Sequence, residues 1–130
     1  MTSRPIAFIS HFHVKSGHED EFRGMWSAVA AALAEAKPAT IGYLGYLAED
    51  GSTLTIVHVF PDADAMATHF EGAGERAAAA YEHIVPAGWE IYGRPHQETL
   101  AVIEAAAAQS GTPFALQPDA LGGFLRTTLR

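Results

Sequence analysis

The spacing of apolar residues between positions 6 and 93 alternates between the two-residue period of strands and the helical period of about 3.6 residues. The order that this alternation predicts is strand, helix, strand, strand, helix, strand. Split βαβ units of this kind build the ferredoxin-like α+β fold, in which both helices cover one face of an antiparallel sheet. The other face of that sheet is left open, and a mostly apolar open face favours contact with a partner.

The first predicted strand covers residues 6–14, which are rich in β-branched and aromatic side chains and end at a Lys-Ser-Gly turn. Alternation along this strand places Ser10 on one face together with four apolar residues. His11 and His13 share the opposite face. A His-x-His pair can bind a divalent metal, but a metal site needs at least a third ligand, and we identify no carboxylate on the same face. A polar contact at a subunit interface is therefore the preferred interpretation of this pair.

Residues 40–60 predict a hairpin of two strands joined at an Asp-Gly turn. In the second strand, His58 shares a face with three apolar residues. Its position is similar to that of Ser10, which also lies among apolar residues in the first predicted strand. Both polar residues are thus expected to point toward the helices. A buried polar group needs a hydrogen-bond partner or a pocket. His58 is accordingly either part of a cavity lining or a core histidine that a neighbour satisfies.

Two segments have helical periodicity. Residues 17–38 carry an apolar stripe that includes Trp26, with acidic residues in the first turn that complement the helix dipole. Residues 62–84 carry a second apolar stripe that includes Tyr81, and the glycines at 72 and 74 predict a break into two helices.

A polar stripe would accompany the second segment if it were one continuous helix, because His69, Arg76 and His83 are spaced by sevens. The predicted break weakens that arrangement. For His69 the alternative is a structural hydrogen bond at the helix edge, and for Arg76 it is a solvated or ion-paired surface position.

The last strand of the repeat is predicted at residues 88–93, between two glycines. An alanine-rich helix is predicted at 98–109, and the remaining residues form either a strand or an arm that packs on the domain or on a second subunit. We therefore expect a ferredoxin-like domain over residues 1–95 and a C-terminal helical extension and arm of the same domain over 96–130.

The composition restricts the possible functions. A formal net charge of −7 disfavours a nucleic-acid partner, because phosphate binding needs a basic surface. The chain has no cysteine, so any metal would need His, Asp or Glu ligands. The sequence contains neither an apolar run long enough to cross a bilayer nor the pattern of a signal peptide, and we expect a cytoplasmic protein with no membrane partner.

Two motifs in these elements match a known family. Residues 14–22, Val-Lys-Ser-Gly-His-Glu-Asp-Glu-Phe, resemble the strand-to-helix turn of the antibiotic biosynthesis monooxygenase superfamily. Residues 57–70 resemble its second signature, in which Phe60, Asp62 and His69 occupy the places of an aromatic residue, an Asp and a helical His. The resemblance covers roughly residues 5–95. It implies a homodimeric α+β barrel, and members of the family include cofactor-independent monooxygenases and haem-degrading enzymes.

The haem-degrading branch of this family uses an Asn on the first strand, a Trp at the end of the third strand and a His late in the second helix. Here Ser10 and Phe60 stand at the first two places, and the third place falls in the segment with Tyr81 and His83. Two of the three residues are absent. The comparison argues against haem oxygenation, with iron ligation by His83 alone as the alternative, and we expect no cofactor.

The resemblance also implies a substrate cavity between the sheet and the helices. The predicted catalytic residues are His58 and His69, since an imidazole can act as a general base near neutral pH. The predicted ligand-binding residues are Ser10, Phe60, Trp26, Tyr81 and His83. For Trp26, ordinary core packing is the alternative role.

The function implied is cofactor-independent oxygenation of a small aromatic or quinol-type compound. The alternative is a small-ligand-binding or regulatory dimer without catalytic activity, since fold does not settle function.

Overall fold

The computed structural model describes residues 4–126 of the chain. The strands in this region are β1 Ile6–Val14, β2 Gly42–Leu47, β3 Thr53–Phe60, β4 Ile84–Tyr92 and β5 Phe114–Gln117. The helices are α1 Glu19–Ala36, α2 Ala63–His69, α3 Ala73–Ala80 and α4 Gln97–Ser110. The strands form one sheet in the order β2-β3-β1-β4-β5. The predicted ferredoxin-like α+β fold is confirmed.

Strand β1 lies at the centre of the sheet, antiparallel to β3 on one side and to β4 on the other. Its side chains alternate as predicted, so that Ser10 is buried on the helix-covered face and His13 is exposed on the open face. In the pairing of β1 with β3, Phe8 lies opposite His58. This register places the two buried polar residues of the sheet, Ser10 and His58, near each other on the helix-covered face.

Local side-chain chemistry fixes the turns around these strands. Asp50 accepts hydrogen bonds from the backbone N–H and the hydroxyl of Ser52 at 2.9 and 2.7 Å, and Gly51 adopts a left-handed φ of 76° in the same turn. Asp62 caps α2 by accepting a hydrogen bond from the Ala65 N–H at 2.8 Å. The predicted break between α2 and α3 occurs at Gly72, whose φ is 80°.

Strand β4 is longer than the sequence predicted. It begins at Ile84 rather than at residue 88, and α3 ends at Ala80. Ile84 is buried in the strand as it would have been on the predicted helix, so its apolar character did not distinguish the two structures. Pro86 falls in this strand beside an irregularity in the pairing with β1, a position where the missing proline N–H is tolerated.

The C-terminal extension belongs to the same core. Ile103 and Ala107 of α4 pack in a cluster with Phe60 and Trp89 of the sheet. Strand β5 then pairs with β4 in parallel, with Phe114 opposite Trp89. Of the two predicted alternatives, residues 114–117 therefore form a strand on their own chain. None of the helices within residues 4–126 combines the length and the apolar character needed to cross a membrane.

The packing of α1 on the sheet depends on a glycine. The indole of Trp26 lies directly over Gly45, where an added Cβ would stand 2.6 to 2.9 Å from three ring atoms. These distances are shorter than real Cβ contacts allow, so any other residue at position 45 displaces the indole.

We expect Gly45→Ala to destabilise the protein by about 1–3 kcal/mol, because overpacking forces Trp26 and α1 outward. The control is Gly24→Ala on α1, where an added Cβ meets no atom within 4 Å. That exchange should stabilise the helix by roughly 0.5–1 kcal/mol. Urea unfolding followed by circular dichroism measures both, and equal effects of the two exchanges would contradict the packing described.

Candidate functional site

A cavity of about 280 Å³ lies between the helix-covered face of the sheet and the surrounding helices α1, α3 and α4. Most of its lining is apolar, as is usual for small-molecule sites. The side chains in the lining that carry a hydroxyl, an imidazole or a charge are Ser10, Tyr43, His58, His69, Arg76 and Tyr81. The lining includes no Asp or Glu.

His58 presents a defined tautomer to this cavity. Its Nδ1 lies 3.0 Å from the carbonyl oxygen of Phe8. A carbonyl oxygen only accepts hydrogen bonds, so Nδ1 carries the proton, and in the neutral ring Nε2 keeps its lone pair. Nε2 has no hydrogen-bond partner within residues 4–126. The arrangement supplies a fixed, unprotonated nitrogen at the cavity wall.

Burial keeps His58 neutral. The side chain is 6% exposed, and the loss of hydration lowers its pKa from 6.5 to about 4, although the hydrogen bond to Phe8 opposes this change. His69, at the end of α2, is buried beside it, and its ring lies nearly perpendicular to that of His58 at a centroid distance of 5.3 Å. Burial, followed by the neighbouring positive groups, lowers the pKa of His69 to about 3.

Both predicted alternatives for the buried histidines, a hydrogen bond within the protein and a place in the cavity lining, occur at once. His58 is satisfied by Phe8, and Nδ1 of His69 is hydrogen-bonded with the Thr40 hydroxyl at 2.8 Å. Both rings nevertheless line the cavity. Each imidazole is thus held by one nitrogen, and its second nitrogen is available to a ligand or to the other histidine.

An aromatic wall closes the α1 side of the cavity. The rings of Trp26 and Tyr43 are stacked, with centroids 4.7 Å apart and an interplanar angle of 7°. The rings of Tyr43 and His58 meet in an edge-to-face arrangement, with centroids 5.2 Å apart. Burial raises the pKa of Tyr43 to about 12, so its hydroxyl stays protonated and can donate a hydrogen bond. A planar ligand can extend this stack.

Tyr43 was not among the predicted site residues, although the sequence contains a signal for it. Pairing the strands back from the Asp-Gly turn sets Tyr43 opposite His58, as the structure has it. Residues directly opposite each other on paired strands face the same side of the sheet. The hairpin register therefore locates Tyr43 on the cavity side once His58 is known to lie there.

Arg76 is a second cavity residue outside the predicted set of site residues. Its guanidinium donates to the carbonyl oxygens of His69 at 2.7 Å and of Glu71 at 3.1 Å. It is partly buried and lines the cavity, and it makes no ion pair within residues 4–126. Of the two predicted alternatives, the structure therefore favours a position beside His69 over an ion-paired surface position. The seven-residue spacing from His69 was the available signal, because the Arg76 side chain reaches back to that residue.

Five of the seven predicted site residues line the cavity, namely Ser10, Trp26, His58, His69 and Tyr81. Phe60 and His83 are not part of the lining, so their binding roles stay predictions without support from the cavity. Phe60 ends β3 and is fully buried in the core cluster beneath α2. The His83 ring turns instead toward His18, with 3.0 Å between the two Nδ1 atoms.

His11 and His13 lie on the open face of the sheet. His11 Nε2 is 2.9 Å from a carboxylate oxygen of Glu90, and His11 Nδ1 is 3.1 Å from the Thr55 hydroxyl. Glu90 is thus a carboxylate on the same face as the histidine pair, which the sequence analysis failed to identify. Glu90 is hydrogen-bonded with His11 and not with His13. Within residues 4–126, no three potential metal ligands converge.

The chain belongs to the antibiotic biosynthesis monooxygenase family, whose model matches residues 5–81. Solved structures with the same fold include MupZ from Pseudomonas fluorescens, with 17% sequence identity and a TM-score of 0.68 over 95% of this chain and 92% of that one. They also include SnoaB, a cofactor-independent oxygenase from Streptomyces nogalater, with 18% identity and a TM-score of 0.59 over 73% of this chain and 97% of that one.

A third structure with this fold is Rv0793 from Mycobacterium tuberculosis, with 16% identity and a TM-score of 0.57 over 72% of this chain and 98% of that one. A search of curated protein sequences found no significant match.

The low pKa of His58 makes stability depend on pH in a defined window. Between pH 6.5 and about 4 the unfolded chain binds a proton at this residue that the folded protein does not, so the contribution of neutral His58 is complete above pH 6.5 and is lost as the pH falls. The difference between the two pKa values corresponds to about 3 kcal/mol.

We expect the stability difference between the wild-type protein and His58→Gln to shrink by up to about 3 kcal/mol between pH 7 and pH 4, because Gln does not titrate. Urea unfolding across this range measures it. The control is His13→Gln at the exposed position on the open face. A wild-type-minus-His58→Gln difference that stays constant with pH would contradict a buried neutral imidazole.

Proposed function

We propose that this protein is a cofactor-independent monooxygenase that acts on a small aromatic or quinol-type compound in the cavity described above. The observation that carries the proposal is the unprotonated Nε2 of His58 in an apolar cavity that also holds the cationic Arg76. Membership of the family supports the reaction type, as does the fold shared with SnoaB, an enzyme described as a cofactor-independent oxygenase.

The reaction that fits this site begins with a phenolic hydroxyl beside His58. Nε2 accepts the hydroxyl proton, and the phenolate transfers an electron to O₂. The resulting radical and superoxide join through a new C–O bond at the para carbon, and the peroxide anion takes back the proton that His58 accepted. The hydroperoxide then loses water, with the hydrogen of that carbon, to give a quinone. One phenol and one O₂ thus yield one quinone and one water, and the substrate supplies all the electrons.

The transfer of the phenolic proton to His58 is unfavourable unless other groups in the site stabilise the phenolate. A hydroxyl with a pKa of about 10 lies about six pKa units above His58, which corresponds to roughly 8 kcal/mol. An imidazolium and a phenolate in contact recover about 4 kcal/mol at an effective dielectric constant near 20. His58 alone is therefore too weak a base. The guanidinium of Arg76 and the hydroxyl of Tyr43 can stabilise the phenolate and so offset the rest of the free energy of proton transfer.

The aromatic wall has a positioning role in this proposal. A planar ring that extends the stack of Trp26 and Tyr43 stays near His58, whose ring centroid is 5.2 Å from that of Tyr43. Holding the hydroxyl within hydrogen-bond reach of Nε2 converts a bimolecular encounter into an oriented one. Ser10 lies on the cavity floor and can donate a hydrogen bond to a second oxygen of the substrate.

We expect His58→Gln to lower the rate of oxygen uptake by about 10²-fold or more, because Gln can still donate to the Phe8 carbonyl but cannot accept a proton. A suitable probe is 1-naphthol, whose para position is free and whose product is 1,4-naphthoquinone. An oxygen electrode and product absorbance measure the rate. His13→Gln is the matched control, and unchanged uptake in His58→Gln would remove the proposed base.

The second candidate function is a ligand-binding or regulatory protein without catalysis. The observation that favours it is the pKa of the two cavity histidines, which lies far below neutrality and makes them weak bases. Thermal stabilisation by one- and two-ring phenols, with no oxygen uptake from any of them, would establish this function in place of the first.

We also propose that two copies of the chain pair through the open face of the sheet. Leu44, Tyr46 and Val85 are exposed there, each by nearly half or more of its surface, around the hydrogen-bonded pair of His11 and Glu90. An exposed apolar patch of this kind is typical of a subunit interface.

We expect light scattering at micromolar concentration to give twice the mass of the 13.9 kDa chain. Leu44→Glu should shift the protein toward monomer, because it places a charge in the apolar patch. The control Ala28→Glu alters an exposed residue of α1 and should leave the mass unchanged. A monomeric wild-type protein would contradict this pairing.

A further inference from the structure

The charge of the cavity lining is opposite to that of the protein as a whole. The chain carries a formal net charge of −7, yet the cavity lining contains one guanidinium, that of Arg76, and no carboxylate. The two histidines in the lining are neutral above pH 5, because burial lowers their pKa values. The fixed charge that faces a bound molecule is therefore a single positive one.

Two hydrogen bonds fix the position of the Arg76 side chain and leave part of its hydrogen-bonding capacity unused. The carbonyl oxygens of His69 and Glu71 accept one N–H each from its two terminal nitrogens. A guanidinium has five N–H groups, so three have no acceptor within residues 4–126. Gly72 lies against the side chain, since a Cβ there would stand 3.3 Å from Nη1. A guanidinium held in this way loses little conformational freedom when it binds an anion.

The size and shape of the cavity limit the remainder of the ligand. An apolar cavity of about 150 Å³ accommodates benzene, and a volume of about 280 Å³ therefore suits one or two fused rings. The stacked pair of Trp26 and Tyr43 favours a planar ring system.

We infer that the molecule bound in this cavity is a planar hydroxylated aromatic acid of one or two rings, whose carboxylate pairs with Arg76. The hydroxyl group in this inference rests on the proposed function, since it is the group that meets His58. The carboxylate rests on Arg76 alone, because a guanidinium offers paired N–H donors that match the two oxygens of a carboxylate. One negative charge on the ligand balances the one positive charge in the lining.

The test compares 1-hydroxy-2-naphthoate with 1-hydroxy-2-naphthamide, which has the same shape and no charge. Both are titrated by calorimetry without oxygen at pH 7, so that binding is measured in the absence of turnover. We expect the acid to bind the wild-type protein at least about 10-fold more tightly than the amide, as a hydrogen-bonded charge pair provides. Its affinity should fall with added salt, while that of the amide stays constant.

Arg76→Gln should weaken binding of the acid about 10- to 100-fold and change binding of the amide by less than about twofold. Arg23→Gln is the matched control, since it removes the same charge from an exposed position of α1 outside the cavity. Arg76→Lys keeps the charge and should retain part of the preference for the acid. If Arg76→Gln does not fold, Arg76→Lys and the salt dependence of the wild-type protein decide.

Equal affinity of the wild-type protein for acid and amide would overturn this inference, as would failure of both to bind. An equal loss of both ligands in Arg76→Gln would also overturn it, because that result indicates a structural role for Arg76. A protein that prefers the acid but consumes no oxygen with it retains the inference and loses the proposed function. A protein that oxidises 1-naphthol but shows no preference for the acid retains the proposed function and loses this inference.

Discussion

The hydrogen bond from His58 Nδ1 to the carbonyl oxygen of Phe8 is the interaction on which the site depends. It joins the two central strands β3 and β1 on the helix-covered face, and it fixes which imidazole nitrogen is protonated. Without this bond, a buried histidine would have both of its nitrogens to satisfy in an apolar core. With it, one nitrogen is satisfied by the sheet and the other faces the cavity, so that one contact both stabilises the fold and fixes the nitrogen on which the proposed function depends.

The cavity exists because the helices leave space above His58. None of the residues in α3, which is composed mostly of alanine, is buried, so this helix covers the sheet without filling the space beneath it. On the opposite side, Gly45 allows the indole of Trp26 to lie flat on β2, where it stacks on Tyr43 instead of extending into the cavity. Small residues at these two places thus preserve a volume that larger apolar side chains would occupy.

The sequence predicted the features that depend on periodicity and on turn chemistry. Alternation in β1 and β3 was sufficient to place Ser10 and His58 on the buried face, and the glycines after α2 were sufficient to predict the break. The start of β4 could not be predicted, since Ile84 is buried whether its segment is helix or strand. The packing of α4 could not be predicted either, because the buried and exposed faces of an alanine-rich helix differ little in sequence.

The cavity lining differs from the predicted set of site residues where tertiary geometry decides. The sequence left Arg76 between a stripe with His69 and a surface position, because the direction of α3 after Gly72 is set by the folded protein. The contact of His83 with His18 could not be predicted, because the two residues are remote in sequence. Phe60 shares the face of His58, but it lies at the end of β3 under α2, beyond the cavity. A shared strand face therefore predicts burial more reliably than it predicts contact with a ligand.

The proposed function requires that His58 present an unprotonated Nε2 to the cavity at neutral pH. Nitrogen-15 NMR of the imidazole side chains measures the tautomer and the charge state of each histidine directly. We expect His58 to be the neutral Nδ1–H tautomer from pH 8 down to pH 5 and to titrate near pH 4. An imidazolium at pH 7, or a proton on Nε2 instead of Nδ1, would contradict the account.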